Sequence, residues 1–247
     1  NMHEAVGKVV SDKGFKRVAL IAPNYPAGKD AITGFKRFFK GEVASETYTA
    51  LNQLDYGTEL SKWRATKPDA VYIFLPGGLG INFIKQFVGA GLSKDMTLFG
   101  PGFSADEDVI KAVGDPMLGM FNTSQWGHDM DNAANKKFVA EFEKAYGRLP
   151  TLYAAQGYDA ARLIESAVRD TKGKLENKAL VQKALEAAKF DSVRGPFKFN
   201  ANHFPIQDYH LRVIIKDSKG RVTNRTLNTV FKSHADAYAT SCKMPSL

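Results

Sequence analysis

"VALIAPNYPAGKDAITGFKRFF", residues 18–39, decides how this chain reads. VALIA is a short continuous apolar run, as expected of a strand buried on both faces. The segment after it sets Ala31, Ile32, Phe35, Phe38 and Phe39 on one face of a helix with a 3.6-residue period. Between them PNYPAG (23–28) turns the chain and carries a tyrosine at its tip, where solvent or a ligand meets it.

The same alternation continues outward. ASETYTA (44–50) reads as a strand, and a helix near 57–66 carries Leu60 and Trp63. AVYIFL (70–75) is a second fully apolar strand, INFIKQFVGAGL a helix ending at Gly91, and TLFG (97–100) a further strand. ADEDVIKAVG follows as a short helix whose acids stand in its first turn, where the helix dipole favours them. Strand and helix in strict succession predict an α/β fold: a parallel sheet with right-handed crossovers, flanked by helices on both faces.

After GMFNTSQW the alternation stops. Helices are expected at 131–146, 154–170 and 176–188 with no strand between them, then strands at 194–200 and 208–217 joined through NHFP. The tail from Val222 onward reads as irregular. Three amphipathic helices need an apolar surface, and the strands left over are too few to make a second sheet. The chain is therefore expected to be a piece of a larger two-lobed protein, or to pair with something that supplies the missing strands.

Composition narrows the function. With 247 residues, 44% hydrophobic and 24% charged, the chain can bury a sizeable core. It has no run of about 18 apolar residues that could span a membrane. The first residues are helical and charged, unlike a signal peptide, as they would also be in a mature secreted chain. The net charge is +8 and the pI about 9.4, but the lysines are scattered among acids. No block of about five like charges and no basic stripe with aromatics is present, so nucleic-acid binding is not expected. The single cysteine, Cys242, cannot form an internal disulfide. The five histidines (3, 128, 203, 210, 234) lack metal-ligand spacing, so neither a metal nor a cofactor is expected.

In open parallel sheets ligands bind at the C-terminal ends of the strands. Three loops fall at that edge: PNYPAG (23–28), PGGLG (76–80) and GPGFSAD (100–106). Gly78-x-Gly80 is followed by Phe83 where a dinucleotide fingerprint needs its third glycine, and no acid ends the next strand. These glycines read instead as places of tight turning and close backbone approach. GFSAD lacks the second glycine of a nucleophile elbow, and Asp106, Glu107 and Asp108 read as an acidic first helical turn. NTS (122–124) and NRT (224–226) fit the glycosylation triplet, which also arises by chance. No nucleophile, base and orienter occur together, so no catalytic residue is assigned. Tyr25, Phe103, Trp126 and Tyr153 lie at loops or element ends and together predict a cleft that clamps an apolar or planar molecule.

VALIAPNYPAG, DAVYIFLPGGLGINFIKQFVGAGL, TLFGPGF and YAAQGYDAARLIESAV, in this order and spacing, resemble the type I periplasmic solute-binding proteins of ABC transporters. The resemblance is to the branched-chain amino-acid (Leu/Ile/Val) binding family, in its aromatic-acid subgroup, and runs from about residue 3 to about residue 217. It implies two α/β lobes joined by three crossing strands. On that reading residues 1–120 form the second lobe, and residues 121–190 are the crossover and the helices that clad the first lobe. Residues 191–247 return strands to the second lobe and form the tail, and the N-terminal lobe is missing from this chain.

The ligand positions that the resemblance implies are Asn24, Tyr25, Pro26 and Ala27 in the first loop, and Pro76, Gly77 and Gly78 in the second. Gly102 and Phe103 follow in the third, with Trp126, Tyr153 and Gln156 further on. Amino-acid binders of the family carry a glutamate where Gly102 stands, to hold the α-ammonium. Burying an ammonium without that partner costs several kcal/mol, so the expected ligand is a carboxylate without an ammonium, and an aromatic one. Phe103 and Tyr153 would stack on its ring, with Tyr25 and Gln156 bonding its polar end.

The implied function is capture of this acid in the periplasm and its delivery to an ABC permease in the inner membrane. A ligand-sensing regulatory domain of the same fold, or a nucleotide-using α/β enzyme, are the alternatives. Dimerisation of the fragment, or association with the missing lobe, would cover the cladding helices. Cys242 is either a partner for a cysteine in that lobe or a free thiol.

Overall fold

A computed structural model describes residues 1–243, and the chain divides into two compact units. Among the described residues, the first holds 1–124 and 210–230, the second 125–209 and 231–243. The chain thus passes between them three times, at 124/125, 209/210 and 230/231.

The first unit begins with α1 (Met2–Asp12), β1 (Arg17–Pro23), α2 (Pro26–Phe38), β2 (Glu42–Thr49) and α3 (Gly57–Thr66). It continues with β3 (Ala70–Ile73), α4 (Gly78–Gly89), β4 (Thr97–Pro101), α5 (Glu107–Val113) and β5 (Phe121–Ser124). The strands are ordered β2-β1-β3-β4-β5, all parallel, as the alternation predicts. A returning strand, β7 (Pro205–Lys216), runs antiparallel beside β5, pairing Thr123 with Leu211.

Period-two alternation splits each strand between two cores. Ala19, Ile21, Val71, Ile73 and Leu98 point to one cluster, which α3, α4 and α5 close with Leu60, Trp63, Phe83, Ile84, Phe87 and Ile110. Val18, Leu20, Ala22, Tyr72 and Phe99 point to the other, closed by Val6, Val9 and Val10 of α1 and by Ala31, Ile32 and Phe35 of α2. Both faces are dry, which is why VALIA and AVYI read as unbroken apolar runs.

In the second unit α6 (Ala133–Tyr146), α7 (Leu152–Asp170) and α8 (Lys178–Ala187) follow one another as expected. Each has a side-chain N-cap: Asn132, Thr151 and Asn177 accept from the backbone N–H three residues on. Phe138 of α6 packs on Tyr158 of α7 with ring centres 4.7 Å apart. Asp159 is 2% exposed and accepts from Ser192 Oγ (2.5 Å), Val193 N (3.0 Å) and Arg194 Nε (2.8 Å), which pins the segment after α8 to α7.

Two expectations need correction. The strand at 194–200 shrinks to β6 (Lys198–Phe199), paired with Pro205 and Ile206. Arg194 is drawn out of it by Asp159, and Pro196 offers no N–H to a ladder. The supposedly irregular tail contains β8 (Val222–His234), paired with β7. Its sequence, VTNRTLNTVFKSH, is too polar to show an apolar period, but its turn is legible. Asp217 O accepts from Gly220 N at 2.9 Å, Asp217 Oδ1 accepts from the N–H groups of Lys219 and Arg221, and Gly220 takes φ +75°. Asp-Ser-Lys-Gly is a turn signal that a search for hydrophobic period overlooks.

The rim glycines divide by mechanism. A Cβ on Gly28 would lie 2.0 Å from Pro23 O, and one on Gly80 2.3 Å from Leu75 O, so α2 and α4 each start hard against the strand that feeds them. Gly77 adopts φ +59°, which a β-carbon resists. Around Gly78 there is open space. Gly80→Ala should therefore cost about 1–3 kcal/mol by overpacking, whereas Gly78→Ala should be neutral or gain about 0.4–1 kcal/mol; urea melts of the two variants check the contrast.

His3 on α1 has its Nδ1 2.7 Å from the Tyr72 hydroxyl and its ring edge-on to Phe74. Burial is the main cause that lowers its pKa from 6.5 to about 3. Because the folded state resists protonation, the stability His3 contributes is complete above pH 6.5 and is lost as pH falls from there toward 3. His3→Gln should flatten that part of the stability profile, measured by chemical unfolding at stepped pH.

Candidate functional site at the strand ends

The loops after β1, β3 and β4 leave neighbouring strands at their C-terminal ends, so the topology brings the predicted PNYPAG, PGGLG and GPGFSAD segments to one edge. Asn24, Pro26 and Ala27 are exposed, and Tyr25 is half-buried between them. Asn24 N donates to Thr49 O at 2.8 Å, holding the loop to the end of β2. The Tyr25 ring lies parallel to that of Phe74, 6.4 Å between centres. Phe103, also half-buried, packs against the same cluster from the far side of β3. Gly77 and Gly78 are exposed, with Pro76 half-buried behind them.

Polar character at this edge comes first from main chain. Neither α2 nor α4 has a side-chain cap: Tyr25 and Gly77 occupy the N-cap positions, and Pro26 opens α2. Helix starts of this kind present N–H groups and a partial positive charge to whatever lies before them. The contrast with the capped helices of the second unit is plain.

Beneath the edge runs a buried polar relay that the sequence reading missed. Arg212 on β7, 2% exposed, donates from Nε to Asn122 Oδ1 at 2.8 Å. Asn122 donates to Asn224 Oδ1 at 2.8 Å, and Asn224 donates to Ala105 O (2.8 Å) and Glu107 Oε1 (3.1 Å). Three strands are thereby tied to the turn that carries Gly102 and Phe103. Gly102 itself is buried: a Cβ there would stand 3.1 Å from Ser124 Oγ and 3.2 Å from Arg212 Nη2. The signal that could have found the relay was a lone arginine inside the apolar run LRVII.

The remaining predicted positions belong to the second unit. Tyr153 is 55% exposed and Gln156 half-buried, both at the start of α7. Trp126, expected on a rim, is 1% exposed, and its indole N–H donates to Asn135 Oδ1 at 2.7 Å, so it is a core residue of that unit. A cavity of about 680 Å³ in the second unit, lined by Lys137, Tyr158, Arg162, Phe190 and Phe197, contains none of the predicted positions. Among the described residues no cluster of His, Cys, Asp or Glu could hold a metal, and no helix is long and apolar enough to cross a membrane. Cys242 is exposed.

The chain is similar to known proteins over most of its length. Residues 1–220 match the family described as periplasmic binding protein. The Leu/Ile/Val-binding protein homolog 6 of Brucella melitensis is 30% identical over 235 residues, covering 92% of this chain and 60% of its own length. A solute-binding protein of an ABC transporter from R. palustris, solved in complex with benzoate, superposes with a TM-score of 0.90 at 34% identity, over 98% of this chain and 66% of that one. A second, from Rhodopseudomonas palustris BisB5 in complex with 3,4-dihydroxybenzoic acid, gives 0.84 and 31%, over 96% and 66%. The chain thus spans somewhat under two-thirds of the length of these relatives. Its parallel α/β sheet, rim loops and matched residues make it a member of the periplasmic binding protein family, with the type I fold that its sequence resembles.

Proposed function

We propose that the protein binds an aromatic carboxylate as the solute-binding component of an ABC importer, without transforming it. The observation that carries this reading is the pairing, on one sheet edge, of two half-buried aromatic rings, Tyr25 and Phe103, with two helix starts that lack side-chain caps. Rings supply apolar contact for a planar ligand, and helix N–H groups suit an anion. The relatives solved with benzoate and with 3,4-dihydroxybenzoic acid support the same class of ligand. Asn24, Pro26, Ala27, Pro76, Gly77, Gly78 and Gly102 would shape the walls of the site at this edge.

The family places such proteins in the periplasm, with a permease of the inner membrane as the partner that receives the solute, and both are part of the proposal. So is the role of residues 121–190 as cladding for a first lobe. In support, α7 presents an exposed stripe of Tyr153, Gly157, Ala160, Ala161, Ile164 and Val168 at helical spacing, apolar and small enough to lie on a sheet.

Thermal shift of the full-length gene product with benzoate, 4-hydroxybenzoate and leucine tests the reading. A ligand at about a hundredfold over its Kd adds roughly 2.7 kcal/mol of stability, and aromatic carboxylates should produce that shift. Stabilisation by leucine with none from the aromatic acids would sink the proposal.

A further inference from the structure

We propose that the second unit holds a further binding site, for an aromatic anion, in the cavity of about 680 Å³ bordered by α6, α7 and the segment after α8. It shares no residue with the rim and does not rest on the function proposed above. Its size is that of a small-molecule pocket. Among the described residues, its lining joins three half-buried rings, Tyr158, Phe190 and Phe197, to two cations, Lys137 and Arg162, with Asp191 as the one acid. The rings offer faces to a planar ligand, and the ammonium and guanidinium offer partners to its charge.

Neither cation is fully engaged. Lys137 Nζ stands 3.9 Å from Glu141 Oε1, at the outer limit of an ion pair, and both side chains are well exposed. Arg162 pairs with Glu165 through Nη1, which leaves the Nε and Nη2 donors of its planar fork. Exposed pairs of this kind contribute little, so a ligand can take their place at small cost.

The walls, in contrast, are fixed. Asp159 gathers Ser192, Val193 and Arg194, and Asn132 Nδ2 donates to Val193 O at 3.1 Å. The segment carrying Phe190 and Phe197 is thereby tied both to α7 and to the start of α6. The Arg194 guanidinium, paired with Asp159, lies over the Phe197 ring at 4.5 Å, and Phe190 meets Phe197 edge-on with centres 5.4 Å apart. Rings held in this way lose little freedom when a ligand enters. Tyr158 and Arg162 stand about a third of a turn around α7 from Gly157, Ala161 and Ile164, so the cladding proposed for that stripe leaves their face free.

Calorimetry on the full-length protein tests the site with 2-naphthoate, its neutral counterpart 2-naphthamide, and inorganic phosphate. Naphthoate should bind about tenfold or more tighter than naphthamide, the scale of a hydrogen bond to a charged group. Phosphate, which has charge without a ring, should not displace it. This preference should survive Tyr25→Ala at the rim and be lost in the Lys137→Gln, Arg162→Gln protein. Should the double variant fail to fold, Lys137→Gln alone, at an exposed side chain, should reduce it. Equal binding of naphthoate and naphthamide, displacement by phosphate, or a preference that vanishes with Tyr25→Ala and persists without the two cations overturns the site. A preference that depends on Lys137 and Arg162 in a protein that binds no benzoate at the rim upholds this site and overturns the function proposed above.

Discussion

The constraint on which the first unit depends is that its parallel strands are dry on both faces. β1 and β3 feed two separate clusters at once, so a polar group along their buried positions needs a partner, as the Tyr72 hydroxyl has in His3. Chemistry is displaced to the places where strands stop. That is why the aromatic and glycine-rich loops after β1, β3 and β4 carry the candidate site, and why Arg212, embedded in β7, has the side-chain amide of Asn122 against its Nε.

The second unit is built on a different logic. Its helices are individually capped, and a buried carboxylate, Asp159, gathers three donors to fasten a segment without regular structure. Breaking such a centre costs more than making it gains, because the surviving partners are left buried. It therefore specifies one arrangement of the chain after α8 even where strand pairing is reduced to two residues.

Much of this was legible beforehand. The strands β1, β3 and β4 and the helices α2, α4, α6 and α7 carry patterns dominated by one period, and the loops between them follow from topology. What escaped reading has a common cause: partners distant in sequence. β8 is polar by composition and exists as a strand because β7 lies beside it. Trp126 sits at the end of an element yet is enclosed by Asn135 and Phe138. The Asn122–Asn224 bond links residues 102 apart, and no local pattern announces it. Of the rim, the tyrosine and the glycines could be read directly, whereas the cation behind Gly102 could not.

The close approach of Gly28 to Pro23 O and of Gly80 to Leu75 O bears on how any ligand would be received. With main chain seated on main chain, these two loops have little conformational freedom left to surrender. Ordering a mobile segment subtracts from the free energy of association, and a rim already fixed avoids that loss. Recognition at this edge then resembles insertion into a template rather than the moulding of a flexible surface. Selectivity would follow from fixed distances rather than from rearrangement of the rim.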